Sequence, residues 1–363
     1  MNDSGSSVVS SSDRIVEIQE IVRRSNKVHV HGSQTKTGFH RLIDGATPIS
    51  TQSLSGVVSY DPQEFVVTLL SGTKVSDVIE LLGKERQYLP FDPLLAERGA
   101  TIGGTVASNA AGAGRFRFGG IRDFILGVRF IDGRGNAIRG GGQVVKNAAG
   151  FDYPKLMVGS HGALGLIYEL TFKVFPRPET YATIIGSFAN VEDAVSCMNE
   201  LAASPMDVEA IDLIPVQTGV GGYELAVRIG GIETSIAKRL SRLQTFVTQP
   251  TVLQGQDELA FWRAAANFQW ADPMCSIGKL PITPNAIPGI DEQLTKARID
   301  RRYSVGGNVA WIAGDWTTEW SNRFGQAQAF LCPQTEANPT LPKEPGPFGK
   351  AIKNALDPTL KFV

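Results

Sequence analysis

GATIGGTVASNAAG, residues 99–112, decides how this chain is read. Its glycines and alanines leave the backbone nearly bare. Thr101-Ile102-Gly103-Gly104-Thr105 reads as a turn presenting consecutive backbone N–H groups, and such a nest or helix start binds anionic oxygens. Ser108 and Asn109 follow as side-chain donors. The bareness extends outward: Gly99 to Gly165 holds 17 glycines, a large part of the 39 in the chain. Two readings of that density stand side by side. One is a series of tight turns. The other is a backbone surface that a large ligand approaches closely, because no Cβ stands in the way. A second run, KNAAGFDYPKLMVGSHGALGLIYELTFKV (146–174), has few charges and ends in an apolar strand. That composition suits a flat aromatic ligand lying on backbone.

Around these runs the chain alternates helix and strand. A helix is expected over Asp13–Ser25, capped by Asp13, with Ile15, Ile18, Ile21 and Val22 on one face. Strands are expected at 28–31, 65–70, 124–131, 137–139 and 165–174, with a helix at 74–82 and a hairpin turn at Asp132-Gly133-Arg134-Gly135. Pro176-Arg177-Pro178 marks a boundary. After it the pattern resets to strand 181–188, helix 191–203, strands 208–214 and 223–229, and helix 233–246. That order implies helices on one face of an antiparallel sheet. A weaker set follows: strand 275–280, helix 292–298 and strand 307–312. Residues 338–349, rich in Pro and Gly, read as a linker before a helix at 349–356.

Composition removes several classes of function. With 35 Lys and Arg against 36 Asp and Glu, the formal net charge of −1 argues against a nucleic-acid or polybasic membrane surface. The three cysteines, Cys197, Cys275 and Cys332, are far apart and form no CxxC pair, so no metal or iron–sulfur site is expected. Sparse cysteine fits a reducing, cytoplasmic setting. The Ser-rich first residues lack the apolar core of a signal peptide, and no window is apolar enough for a membrane span. GxxxxGK[ST], GxSxG and HExxH are all missing, as is a GxGxxG after a first strand. His29 and His31 alternate in a strand and read as ordinary strand residues.

The stretches HGSQTK (31–36), GATIGGTVASNAAG (99–112), RDFILGVRFIDGRG (122–135) and GGQVVKNAAGFDYPKLMVGSHGALGLIYELTFKVFPRP (141–178) together resemble the FAD-binding domain of the vanillyl-alcohol-oxidase/PCMH-type flavoproteins. GVVSYDPQEFVVTLLSGTKVSDV (56–78) and LPFDP (89–93) extend the resemblance to the FAD-binding subunits of glycolate oxidase-type complexes. It is strong over 25–180, weaker beyond, and returns faintly at AIKNALDP (351–358). The resemblance implies an α+β chain. A two-subdomain FAD-binding fold would span 25–178, after an N-terminal tail and helix at 1–24. An inserted ferredoxin-like α+β cap would span 179–340, with a return at 341–363.

The same resemblance assigns residues. Gly32, Ser33, Gln34, Thr35 and Lys36, with Thr101, Ile102, Gly103, Gly104 and Thr105, would wrap the pyrophosphate. Ala107, Ser108, Asn109 and Gly112 would run beside the flavin, and Gly162, Gly165 and Ile167 would contact the flavin and adenine end. Thr35 stands near where covalently flavinylated members carry a His, which implies non-covalent FAD. The sequence departs from the family at HGSQT, which lacks two of the usual glycines, and at Gly159-Ser160-His161-Gly162. A His/Asp-rich segment that catalytic 2-hydroxy-acid dehydrogenases carry is replaced here by Val305-Gly306-Gly307-Asn308, and no His follows His161.

Three functions remain. The chain is an FAD subunit working with a second flavoprotein and an iron–sulfur subunit, reaching a membrane only through them. Or it is a self-sufficient 2-hydroxy-acid oxidoreductase using Lys146, Lys279 or Arg122 to anchor a carboxylate. Or it is a scaffold without flavin.

Overall fold

The computed structural model describes residues 10–39, 44–142, 151–216, 221–247, 249–314, 327–332 and 346–363. Two large sheets organise them. The chain opens with α1 (Ser11–Arg24) and a parallel pair, β1 (Val28–His31) with β2 (Thr47–Ser50). Ser10, not Asp13, caps α1: its hydroxyl accepts from the Asp13 N–H, which places Asp13 inside the first turn.

The first large sheet has the order β3-β4-β8-β6-β7. Its strands are β3 (Val57–Asp61), β4 (Val66–Leu70), β6 (Ile125–Ile131), β7 (Ala137–Gly141) and β8 (Leu166–Lys173). β4 is buried at every position and β8 at nearly every one, as central strands covered on both faces should be. Between β4 and β6 lie α2 (Val75–Lys84), β5 (Gln87–Tyr88), α3 (Ile102–Ser108) and α4 (Arg115–Phe118). α2 buries Val75, Val78 and Leu82, whereas Ile79 stays 49% exposed. α5 (Tyr153–Met157) precedes β8, and β9 (Phe175–Pro176) pairs back onto β5.

The second sheet has eight strands. Its first half is β10 (Thr180–Phe188), α6 (Val191–Ala203), β11 (Ala210–Pro215), β12 (Tyr223–Gly231), α7 (Glu233–Leu243) and β13 (Thr251–Gln254). The strands lie in the order β13-β10-β12-β11, the ferredoxin-like arrangement. After α8 (Gly255–Ala266) come β14 (Ser276–Pro281), α9 (Ile287–Lys296), β15 (Asp300–Ser304), β16 (Val309–Gly314) and β17 (Gln328–Leu331). These strands lie in the order β15-β16-β14-β17, the same arrangement reversed. The halves meet where β11 pairs with β15, Leu213 opposite Tyr303. Because side chains alternate along a strand, Leu213 and Tyr303 enter the core beneath α6 and α9, while Asp212 and Arg302 project from the other face.

α9 begins at Ile287 rather than 292. Pro288 and Gly289 read as breakers, but proline is tolerated in the first helical turn, where its missing N–H has no partner to lose. Lastly, α10 (Pro347–Leu356) brings the chain back to the first unit, where Val28 bridges Phe362. Asp357 is fully buried there, ion-paired with Lys353 at 2.7 Å and accepting from the Lys361 and Phe362 N–H groups. Among the described residues no helix is long and apolar enough to cross a membrane.

Candidate functional site

A cavity of about 370 Å³ opens where β1, the 32–36 loop, α3 and the 161–167 segment converge. Its polar end is built by the loop. Among the described residues nothing accepts a hydrogen bond from the backbone N–H groups of Gly32, Ser33, Gln34, Thr35 or Lys36. The Lys36 side chain is buried, its amine 3.3 Å from Thr35 Oγ1. Burial pushes that amine down to about 8. Ser71 lines the same cavity, with a buried hydroxyl that has no partner among the described residues. The opposite end is apolar, walled by Val30, Ile167 and Val363. His29 and His31 stack on β1 with ring centroids 6.0 Å apart and also border the cavity.

The 101–105 segment contributes differently from the turn expected. It is the capped start of α3, and its N–H groups are already used. Ile102 donates to Thr73 O, Gly103 to Ser71 O, Gly104 to Thr101 Oγ1 and Thr105 to Thr101 O. A Cβ on Gly103 would lie 2.7 Å from Ser71 Cβ, so that glycine accommodates the neighbouring strand end. Gly104 instead faces the Lys36 amine. Gly32 packs against Thr101, where a Cβ would come within 2.6 Å of Oγ1.

Ser108 Oγ donates to Gly104 O within its own helix, at 2.6 Å. Asn109 caps α3 in the left-handed conformation, and Lys279 Nζ reaches its carbonyl oxygen at 3.3 Å from β14. Burial, with Arg115 adding to it, pushes the Lys279 amine down to about 8. Burial and the nearby Lys279 charge push the His161 imidazole down to about 4. Gly162, Gly165 and Ile167 all line the cavity.

Gly112 does not line it; it packs against Asp92 and borders a second cavity of about 500 Å³. Arg122 is exposed on a short turn and lines neither cavity, so the structure gives it no place as a carboxylate anchor. Lys146 lies outside the described residues. Among the described residues no group of three or more His, Cys, Asp or Glu is placed to hold a metal ion.

The second cavity lies between the eight-stranded sheet and the 88–97 segment and was not anticipated. Arg228 is held there by Glu258 at 2.7 and 3.2 Å, with Tyr181 4.0 Å from its guanidinium. Arg302 is held by Asp212 at 2.6 Å. Burial pushes the Asp92 carboxyl above its usual range, and the neighbouring Glu209 up to about 7. These groups are far apart in sequence and have no local motif. LPFDP (89–93) and Gly112, the end of the 99–112 run, were the signals near them.

The chain matches the family model described as FAD binding domain over residues 7–141. It is 34% identical over 195 residues to glycolate oxidase subunit GlcE of Escherichia coli (strain K12), covering 54% of this chain and 55% of that one. It is 30% identical to a D-lactate dehydrogenase of Anaerostipes hadrus, covering 54% and 42%. With glycolate oxidase subunit GlcD of Bacillus subtilis (strain 168) the identity is 28%, covering 47% and 36%. The chain thus spans about half or less of each relative's length. A solved alkyldihydroxyacetonephosphate synthase has the same fold, with a TM-score of 0.68 at 14% identity over 96% of this chain and 74% of that one.

Proposed function

We propose that this chain is the FAD-binding subunit of a glycolate oxidase-type 2-hydroxy-acid dehydrogenase complex. It holds FAD non-covalently and delivers electrons to a second flavoprotein and an iron–sulfur subunit. The names of the relatives, two of them glycolate oxidase subunits, support this reading. The observation that carries it is the 32–36 loop. Five unaccepted N–H groups beside a buried amine make a strong anion site without a basic patch, which is how a chain of net charge −1 receives a dianionic pyrophosphate.

In this reading Gly32 to Lys36 hold the phosphates, and Gly104 leaves room for them beside Lys36. The bare 107–109 backbone borders the flavin, and Gly162, Gly165 and Ile167 line the adenine end. Bound FAD supplies a two-electron acceptor. The protein orients it; Lys279, by binding the Asn109 carbonyl, ties the flavin-bordering segment to the eight-stranded sheet. Residues 25–178 form the FAD domain, 179–340 the cap and 341–363 the return.

The role within a complex draws support from the 305–308 hairpin. Val305 is buried, Gly306 packs on Phe116, and Gly307 packs on Met198 and Ile287, so this turn offers packing and no acid or base. The test is purification of the tagged chain from its native cells. A yellow protein accompanied by a second flavoprotein and a cysteine-rich iron–sulfur protein is expected. A colourless chain without either partner overturns the proposal.

A further inference from the structure

We propose that Glu209 is a proton-operated latch between the eight-stranded sheet and the 88–97 segment. With its carboxyl protonated the segment is docked; loss of that proton loosens the segment and widens the second cavity. The latch does not rest on the FAD reading, since every group in it belongs to this chain.

Glu209 lies at the start of β11, where its N–H donates to Arg228 O at 2.8 Å. It is 8% exposed. Gly230 makes room for it: a Cβ there would overlap Glu209 Oε1. Two guanidinium groups face the carboxyl, and both are committed elsewhere. Arg228, on β12, is held by Glu258 through two bonds. Arg239, on α7, donates to the carbonyl oxygens of Gly230 at 2.6 Å, Met206 at 3.2 Å and Asp207 at 3.0 Å. Among the described residues no cation comes within ion-pair distance of Glu209, and nothing donates a hydrogen bond to its carboxyl. A carboxyl buried in this way keeps its proton, because ionised it would lose hydration and gain no partner.

The other sides bring more negative charge. α8 presents Glu258, and the 88–97 segment presents Asp92. β10 presents Tyr181, whose hydroxyl meets that of Tyr88. One guanidinium, Arg228, thus faces three carboxyl groups, Glu258, Asp92 and Glu209. Burial, with Asp92 and Glu258 adding to it against the pull of Arg228 and Arg239, pushes Glu209 up from 4.5 to about 7.

Glu209 and Asp92 stand on opposite sides of the seam, so ionised Glu209 repels the segment across it. The segment is readily displaced. Asp92 and Leu95 lie in the left-handed region, at φ 48° and 64°, which non-glycine residues keep only under the constraint of their neighbours. Among those constraints are the Gly114 N–H on Asp92 Oδ2 at 2.7 Å and the Leu95 N–H on Ala266 O at 3.0 Å. Tyr88, Asp92 and Leu94 line the second cavity, so their withdrawal widens it.

The test is hydrogen exchange of the full chain, read by mass spectrometry at pH 6 and pH 8 and corrected for intrinsic exchange rates. A docked segment holds the Glu209 proton more tightly than a loosened one, in which the carboxyl returns to its ordinary 4.5. Rising pH therefore favours the loosened state from about 4.5 through about 7 and adds nothing above. Between pH 6 and pH 8 the protection of 88–97 should fall about tenfold, while β4 keeps its own. Glu209→Gln, which cannot ionise, should hold at pH 8 the protection seen at pH 6. Glu209→Met should do the same if the amide fails to fold. Protection of 88–97 that ignores pH, an equal change in β4, or a change that persists in the variants overturns the latch. So does failure of both variants to fold, because a neutral side chain at 209 is the docked state.

Discussion

The Lys36 amine faces the open side of Gly104: a Cβ there would stand 3.8 Å from Nζ and 3.1 Å from Thr101 Oγ1. Its neighbour Gly103 faces the other way, and a Cβ there would press within 2.8 Å of the Ser71 carbonyl oxygen. In the proposed reading adjacent glycines therefore serve different ends, Gly104 the ligand and Gly103 the fold. Gly104→Val should yield a folded protein, by circular dichroism, with FAD affinity reduced on the order of tenfold or more, because the added methyls occupy the space beside the amine. Gly103→Val should destabilise the protein by roughly 3 kcal/mol or leave it insoluble, since backbone on both sides of the clash is fixed. Melting temperature and the ratio of flavin to protein absorbance separate the two. Equal flavin loss with unchanged melting in both variants would contradict this division.

Lys36 also sets a pH dependence. In the flavin-free fold its amine titrates near 8, against 10.5 when unfolded. Between those values the unfolded chain binds more protons, so the flavin-free protein should gain stability as pH rises from about 8 to 10.5. FAD phosphates seated beside Lys36, as proposed, would favour the charged amine and raise its pKa. Binding then takes up a proton above pH 8, and FAD affinity should fall by up to about tenfold per pH unit there. Lys36→Met should bind FAD more weakly at pH 7 and lose this slope. Fluorescence titration of FAD across pH 7–10 checks both. A slope unchanged in Lys36→Met would assign it to another group.

Thr35 offers no imidazole or thiol for attachment to a flavin methyl group, and the neighbouring Lys36 is held inside. Acid precipitation of the loaded protein should release the yellow colour into the supernatant. Colour retained in the pellet would show a covalent link elsewhere.

Much of this fold was legible because it is locally encoded. The βαββα run from 180 to 243 reads correctly since its strands alternate and its helices keep a 3.6-residue period. α3 was hidden: Ile102-Gly103-Gly104 has poor helix propensity, and its first turn is held by the Thr101 cap together with tertiary bonds from the Ile102 and Gly103 N–H groups to Thr73 O and Ser71 O. α8 and β15 were missed because their burial is set by partners distant in sequence, Thr183 and Asp212 among them. The same limit hid the second cavity. Asp212 and Arg302 become a pair only when the two halves of the sheet join, and no spacing rule spans 90 residues. The glycine-rich cradle was visible, but which of its N–H groups were already bonded was not.

Asp357 closes the C-terminal segment onto the unit that holds the five-stranded sheet. Its carboxylate takes the Lys353 ammonium and two backbone N–H groups at full burial, and Gly133 packs on it. Asp357→Ala would leave Lys353 buried beside carbonyl oxygens alone and should cost about 3 kcal/mol, seen as a melting shift of several degrees. Because Val363 borders the cavity proposed for FAD, flavin should also dissociate faster. Unchanged melting and flavin retention would mean that this return contributes nothing to the domain.

The last expectation concerns turnover. Oxidising a hydroxy acid needs a base to take the hydroxyl proton as hydride leaves carbon. The chain has no histidine after His161, and its 305–308 hairpin is apolar packing. His161 itself is half-buried beside the charge of Lys279 and resists protonation down to about pH 4. A base accepts a proton and must hold it briefly, which this environment disfavours. Lys279 is committed to the Asn109 carbonyl, and Arg122 lies on the surface away from both cavities. The FAD-loaded chain mixed anaerobically with glycolate or D-lactate should therefore keep its yellow absorbance over minutes. Addition of the second flavoprotein and the iron–sulfur subunit should bring rapid loss of that colour. Complete bleaching of the isolated chain within seconds would show that a base of its own is in place, and would favour a self-sufficient dehydrogenase over a subunit.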